Sequence, residues 1–230
     1  MCGRFTLRSP ANILVEQFRL ATVPQLAPRF NIAPTQPVAV VRQPPGGQQR
    51  QLSLLRWGLI PAWAADPSHG PQWINARAES VAEKPAFRSA FKRRRCLVPA
   101  DGYYEWQKIG PRKQPHYIRL RDGRPFAFAG LWEAWRGREG QESPPLETCA
   151  IITTQSNELT RPIHDRMPVI LDCEDYELWL DPQIQDPRQL QGFLRPYDSA
   201  RMAADPVSTY VNSVRHDDPQ CIAIQRELEF

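Results

Sequence analysis

The sequence predicts a single α+β domain in which antiparallel strands outnumber helices. Three observations carry this. Strand-like runs crowd the middle of the chain, short and separated by turns, without the strand–helix alternation of parallel βαβ units. Proline is frequent, 24 in 230 residues, which keeps elements short and turns fixed. No break in composition marks a second domain, and 230 residues suit one domain of this class.

The elements follow in order. Ser9-Pro10 opens a short helix to about Phe18, with proline at the first helical position. Residues 38–42 and 52–57 read as strands joined by a turn-rich loop over 43–51. Ser80 and Glu83 have capping-box spacing and predict a second helix, its start limited by Pro85. Strands are predicted at 96–99, 103–107, 116–120, 126–131, 148–153 and 169–171, interrupted by a polar excursion over 136–145. Asp172 is placed to cap a third helix over 173–180, and Asp186-Pro187 to start a fourth.

Hydrophobic residues make up 41% of the chain and include 7 Trp, 9 Phe and 6 Tyr, enough for a core and against general disorder. The net charge of +4 is only mildly basic. Its type says more, since 4 lysines (Lys84, Lys92, Lys108, Lys113) accompany 25 arginines. Arginine suits bidentate phosphate contacts and base stacking, although Arg-biased codon usage produces the same ratio. Five scattered cysteines (2, 96, 149, 173, 221), with no C-x-x-C, argue against a disulfide framework or structural zinc. No metal or organic cofactor is implied. The start MCGRFTLRSP has no apolar signal region, and no stretch approaches about 18 apolar residues. The expectation is a cytoplasmic protein with no membrane partner.

Cys2 follows the initiator Met. Removal of Met1 would leave a free α-amine and a thiol on adjacent carbons, a 1,2-aminothiol. With aldehydes such a pair forms a Schiff base that the thiol closes to a thiazolidine. Reference pKa values of about 7.7–8.0 for the amine and about 8.5 for the thiol mean that modest tuning activates both near neutrality. The competing reading is that Cys follows Met by accident.

Four polar clusters sit in apolar or aromatic surroundings: Cys2-Gly-Arg4-Phe5, Trp73-Ile-Asn75-Ala-Arg77-Ala-Glu79, Asp101-Gly-Tyr-Tyr-Glu105-Trp106 and Ile163-His164-Asp165-Arg166-Met167-Pro168. Such groups are costly to bury unless paired or used. Two readings fit. Asn75, Arg77, Glu105 and His164 satisfy one another as a structural network, or they serve a reaction. Glu105 among Tyr103, Tyr104 and Trp106 is placed for a desolvation-raised pKa and proton transfer. His164 is one of four histidines and titrates in the useful range. His69, His116 and His216 lack such neighbours and read as surface or structural.

The blocks MCGR, RFNIAPTQ (29–36), RWGLIPAW (56–63), INARAES (74–80), RCLVPADGYYEW (95–106), FAGLWE (128–133) and IHDRMPVIL (163–171) occur in order. Together they closely resemble the SOS-response-associated peptidase (SRAP) family of abasic-site-processing proteins. The match is best over 2–171, weaker over 172–230, and resumes in part at 207–214. The resemblance implies a barrel-like curl of the sheet with peripheral short helices. It implies a sensor of abasic sites in single-stranded DNA that traps the ring-opened sugar on Cys2 as a covalent crosslink, in lyase-like suicide chemistry. In that scheme Asn75 hydrogen-bonds the sugar or the Cys2 backbone. Glu105 is the acid/base for the amine and imine, and His164 protonates the ring oxygen. Arg4, Arg77 and Arg166 grip phosphates, and Trp63 and Trp73 offer stacking surfaces. Ala64 stands where relatives often carry a second aromatic, so one contact is lost or supplied by Trp73. The localisation implied is cytoplasmic, at the nucleoid when bound to damaged DNA. Two other readings are an N-terminal-nucleophile peptidase, general or limited to removal of Met1 by the chain itself, and a non-catalytic single-strand-binding module.

Overall fold

The computed structural model describes residues 2–23, 25–44, 49–66, 73–137 and 144–225. Its strands are β1 (Phe5–Leu7), β2 (Arg29–Ile32), β3 (Pro37–Arg42), β4 (Gln51–Trp57), β5 (Asn75–Arg77), β6 (Arg95–Ala100), β7 (Gly102–Ile109), β8 (Arg112–Leu120), β9 (Phe126–Trp135), β10 (Leu146–Gln155), β11 (Arg166–Pro168), β12 (Ile170–Leu171) and β13 (Met202–Pro206). The helices are short: α1 (Ala11–Phe18), α2 (Arg88–Arg93), α3 (Tyr176–Leu180) and α4 (Pro187–Gln191). The α+β class with a barrel-like, mostly antiparallel sheet is therefore observed.

Two sheets form. One has the order β13-β8-β7-β1-β2 and is antiparallel throughout. The other runs β10-β4-β3-β6-β9, and β9 pairs back onto β10, closing five strands into a barrel. Closure removes exposed edges, which apolar strands such as β6 and β9 would otherwise present. Two pairings differ from the antiparallel expectation: β10 runs parallel to β4 and to β5. Neither pairing has a local turn signal, because its strands lie far apart in the chain.

The two sheets are joined where the site lies. Phe5 of β1 is fully buried and meets Trp57 of β4 and Phe128 of β9 edge-on, with ring centroids 5.2 and 5.8 Å apart. Burying a Phe side chain contributes roughly 1.5–3 kcal/mol, so this ring pins β1 to the barrel. Beside it, Thr6 Oγ1 and the Tyr117 hydroxyl lie 2.8 Å apart, and a Cβ on Gly102 would come within 2.5 Å of the Tyr117 ring. Only glycine admits that approach.

Two helix expectations shift and a third holds. The capping-box sequence folds as turns, in which Lys84 N–H donates to the Ser80 carbonyl, and α2 begins only beyond Pro85. Proline has no N–H and disfavours helical geometry in the residue before it. Asp172 caps nothing with its side chain; its carboxylate accepts from Arg201 at 2.6 Å and Tyr197 at 3.2 Å, and the 173–180 segment starts as a 3₁₀ turn. Asp186 does cap α4, accepting from the Arg188 N–H. The excursions at 43–51 and 136–145 are described only at their ends, since 45–48 and 138–143 lie outside the described residues, as does His69. Among the described residues no helix is long and apolar enough to cross a membrane, and no group of acidic, His or Cys side chains is arranged to hold a metal.

Candidate active site

Cys2 precedes β1 by three residues and is carried into the molecule by it. The side chain is fully buried. Its Sγ lies 3.9 Å from the Arg4 carbonyl oxygen, a weak donor contact. Burial, reinforced by the nearby Glu105 charge, pushes the thiol well above the ordinary cysteine range. The expectation of modest tuning toward neutrality is thus reversed: in this setting the sulfur is a thiol, and reaction requires a base to take its proton.

Glu105 supplies a group of that kind. It sits on β7 opposite His116 of β8 and is buried. Desolvation raises its carboxyl to about 7, with the Asp165 charge adding to the rise. A carboxyl that titrates near neutrality is suited to both taking and returning a proton.

Asn75 comes from β5, the three-residue strand hydrogen-bonded in parallel to β10. Its Nδ2 donates to the Cys2 carbonyl oxygen at 2.9 Å, one of the two partners expected for it. Its Oδ1 is buried with no hydrogen-bond partner among the described residues. On so short a strand Asn75 and Arg77 share one face, while Ala76 between them is buried. Arg77 is exposed, and the described residues hold no ion-pair partner for it.

His164 lies in the connection between β10 and β11. Asn157 fixes this loop by accepting from the Thr160 N–H and hydroxyl, both at 3.0 Å, and donating to the Tyr197 carbonyl. Two contacts compete for His164 Nδ1. The Arg166 N–H points at it from 3.0 Å, and Asp165 Oδ1 stands 2.9 Å away. They belong to different protonation states: the neutral ring accepts from the amide, and the charged ring donates to Asp165. Burial lowers the His164 pKa, so the neutral form with its proton on Nε2 prevails near pH 7.

The three arginines differ. Arg166 grips Glu79 with both terminal nitrogens, at 2.7 and 3.0 Å, and also donates to the Thr153 carbonyl. That bidentate pair holds Glu79 below the usual carboxylate range. Arg4 donates only to neutral acceptors, Asn31 Oδ1 at 2.8 Å and the carbonyls of Val211 and Asn212 at 3.0 and 3.3 Å, while its guanidinium lies over Trp106. Its charge therefore has no carboxylate in contact among the described residues. Trp63 is 65% exposed in the turn after β4. Trp73 is half-buried, its ring edge-on to Phe87.

The structure thus brings Cys2, Asn75 and Glu105 together, with His164 in the adjoining loop. Two further side chains adjoin these groups. Glu79 occupies Arg166. Tyr103 lies on the same face of β7 as Glu105, and the signal for it was its spacing of two residues from Glu105.

A sequence model described as SOS response associated peptidase (SRAP) matches residues 1–214. Abasic site processing protein YoqW of Bacillus subtilis is 46% identical over 226 residues, covering 96% of this chain and 99% of its own. Abasic site processing protein HMCES of Gallus gallus is 36% identical, with 79% of this chain aligned to 60% of that longer protein. A crystal structure of a Bacteroides thetaiotaomicron protein superimposes with a TM-score of 0.85 at 28% identity, covering 99% of this chain and all of that one. With a family match running from the first residue through the Val211–Asn212 carbonyls that hold Arg4, the chain belongs to the SOS response associated peptidase family.

Proposed function

We propose that this protein processes abasic sites in single-stranded DNA by trapping the ring-opened sugar on Cys2 as a thiazolidine crosslink. The observation that carries the reading is the buried Glu105 carboxyl, titrating at about 7 and acting electrostatically on the Cys2 thiol. The relatives' names supply the substrate class. With Met1 attached, the Cys2 nitrogen is an amide. Its removal, by the chain itself or by another activity, frees the amine. That amine condenses with the sugar aldehyde, releasing water and forming the imine. The thiol then adds across the protonated C=N of the iminium: its proton passes to Glu105, the S–C bond forms, and the π pair becomes the lone pair of the neutral ring amine. Asn75 Nδ2 holds the Cys2 backbone while its Oδ1 accepts from a sugar hydroxyl. No metal or organic cofactor takes part in this scheme.

The direct test is the intact mass of the protein after incubation with an abasic single-stranded oligonucleotide. A covalent, heat-stable product is expected from the chain lacking Met1. A variant with a non-removable residue ahead of Cys2 should give none; full yield from that blocked chain would rule out the aminothiol route.

His164 is assigned to protonate the sugar ring oxygen as the ring opens. His164→Ala should slow crosslinking by about 10²–10⁴-fold and leave binding to intact single strands near normal. The acid form is the working form, and burial lowers the pKa. The advantage of wild type over the variant should therefore shrink as pH rises from about 5 to about 8. A ratio constant across that range would remove His164 from the acid role.

The arginines are assigned to phosphates, but not equally. Arg77→Ala, which removes an exposed and uncommitted charge, should lower the salt dependence of single-strand binding by up to about 0.7 in the log–log slope. Arg166→Ala should chiefly lower the melting temperature, because it removes the bidentate pair to Glu79 and one of the two donors to the Thr153 carbonyl, the Ala78 N–H being the other. Arg4→Ala should do both. Trp63, the most exposed large aromatic among the described residues, and the open part of Trp73 are the surfaces on which flanking bases stack. Equal slopes for all three arginine variants and wild type would defeat the phosphate assignment.

A further inference from the structure

Tyr103 stands on β7 two residues before Glu105, its ring edge-on to Phe128 with centroids 6.0 Å apart. It is fully buried, and its hydroxyl has no hydrogen-bond partner among the described residues. A buried hydroxyl is ordinarily paired, because removing it from water without a replacement costs stability. A fold that leaves one unpaired holds a donor in reserve.

The ionisable groups that bear on this hydroxyl are Cys2, ahead of β1, and Glu105 on its own strand. Its cross-strand neighbours, Phe5 on β1 and Ile118 on β8, are apolar. Burial, Cys2 and Glu105 all push the phenol above the usual tyrosine range, so it stays protonated and able to donate. The Cys2 sulfur has the complementary need. It is buried, its anion is disfavoured by burial and by Glu105, and its recorded contact is to a carbonyl oxygen, which cannot stabilise negative charge.

We propose that the Tyr103 hydroxyl donates a hydrogen bond to the Cys2 sulfur as that sulfur becomes anionic during ring closure. The inference rests on the thiazolidine reading above. In the step concerned, the thiol proton goes to Glu105 and the sulfur lone pair forms the S–C bond to the iminium carbon. The C=N π pair becomes the lone pair of a neutral ring amine, and Glu105 ends protonated. Negative charge passes through sulfur on the way, and a hydrogen bond to an ion is the stronger kind. Asn75 thus fixes the Cys2 carbonyl, and Tyr103 meets the sulfur.

The test is Tyr103→Phe in the chain lacking Met1, mixed with an abasic single strand and sampled over time. Two products are read: the heat-stable adduct, and the adduct seen only after borohydride reduction, which reports the open Schiff base. Ring closure should slow roughly ten- to a hundred-fold. The borohydride-dependent share should rise, and the pH of half-maximal closure should move upward. The melting temperature should hold or increase, since an unpaired hydroxyl has been deleted. Wild-type closure rates with an unmoved pH profile would overturn the role of Tyr103 while leaving the crosslink intact. A clear fall in melting temperature would overturn it too, by revealing a structural partner. Absence of both adducts from the wild-type protein would instead overturn the thiazolidine reading.

Discussion

Cys2→Ala should yield no heat-stable adduct with an abasic single strand, the largest effect expected of any single substitution. Alanine retains an α-amine after Met1 removal, so a transient Schiff base should still form and be captured by borohydride. No thiol remains to close the ring. Cys2→Ser should do little better, because a neutral hydroxyl is a poor nucleophile and Glu105 is too weak a base to ionise it. The loss is chemical and not a failure to fold. Removing one buried sulfur costs about 1 kcal/mol, a typical single-substitution effect. Gel mobility under denaturing conditions, read beside a melting curve of the same sample, separates the two. A stable adduct on the alanine variant would place the nucleophile elsewhere.

Glu105→Gln should move stability and activity in opposite directions. The folded-state pKa of about 7 lies above the 4.5 of an ordinary glutamate, because burial disfavours the carboxylate. A raised pKa means the folded state binds the proton more tightly than the unfolded chain. The stability this contributes is present below about pH 4.5 and is lost as pH rises through about 7. By linkage the loss is roughly 3 kcal/mol once both states are ionised. Glutamine carries no charge to desolvate, so at pH 8 the variant should be the more stable protein by an amount of that order. Near pH 4 the two should melt together. Crosslinking by the variant should fall by about 10²–10⁴-fold, since the amide neither accepts the thiol proton nor returns one. A melting difference that ignores pH, or an undiminished crosslinking rate, would each contradict this placement of Glu105.

Much of the fold was legible because its longest strands are apolar runs bounded by turns. β6, β9 and β10 fall where 96–99, 126–131 and 148–153 were expected, β6 and β10 longer at both ends and β9 longer at its far end. The three-residue strands β1 and β5 were not legible as strands, since three residues show no alternation, and β5 is defined only by its partner β10. Within the site, Glu105 stood out through its aromatic neighbours, whereas the bond from Asn75 to the Cys2 backbone was implied only by the family resemblance. The acceptors of Arg4 could not be read, because two of them are main-chain carbonyls some 207 and 208 positions away, which have no residue signature. The thiol of Cys2 was misjudged in direction because reference values assume water, and the fold removes it. An unpaired hydroxyl such as that of Tyr103 has no counterpart in sequence at all, being a property of what does not surround it.

The placement of β1 has a mechanical consequence. It is an inner strand, bonded to β2 on one side and β7 on the other, with Phe5 wedged into the barrel. A DNA strand joined to Cys2, as proposed above, would therefore be moored to the protein through this strand. A motor advancing along that DNA would pull on the sulfur, and the load would enter β1 at its first residue, directed along its axis. Its hydrogen bonds to both neighbours would then be strained together, in shear, while the Phe5 ring resisted withdrawal. Strands loaded this way yield as a group, whereas an edge strand peeled from its end yields one bond at a time. A single-molecule pull through the DNA handle should find the anchorage failing at higher force than a pull through the carboxyl-terminal end, where β13 is an outer strand paired with β8 on one side.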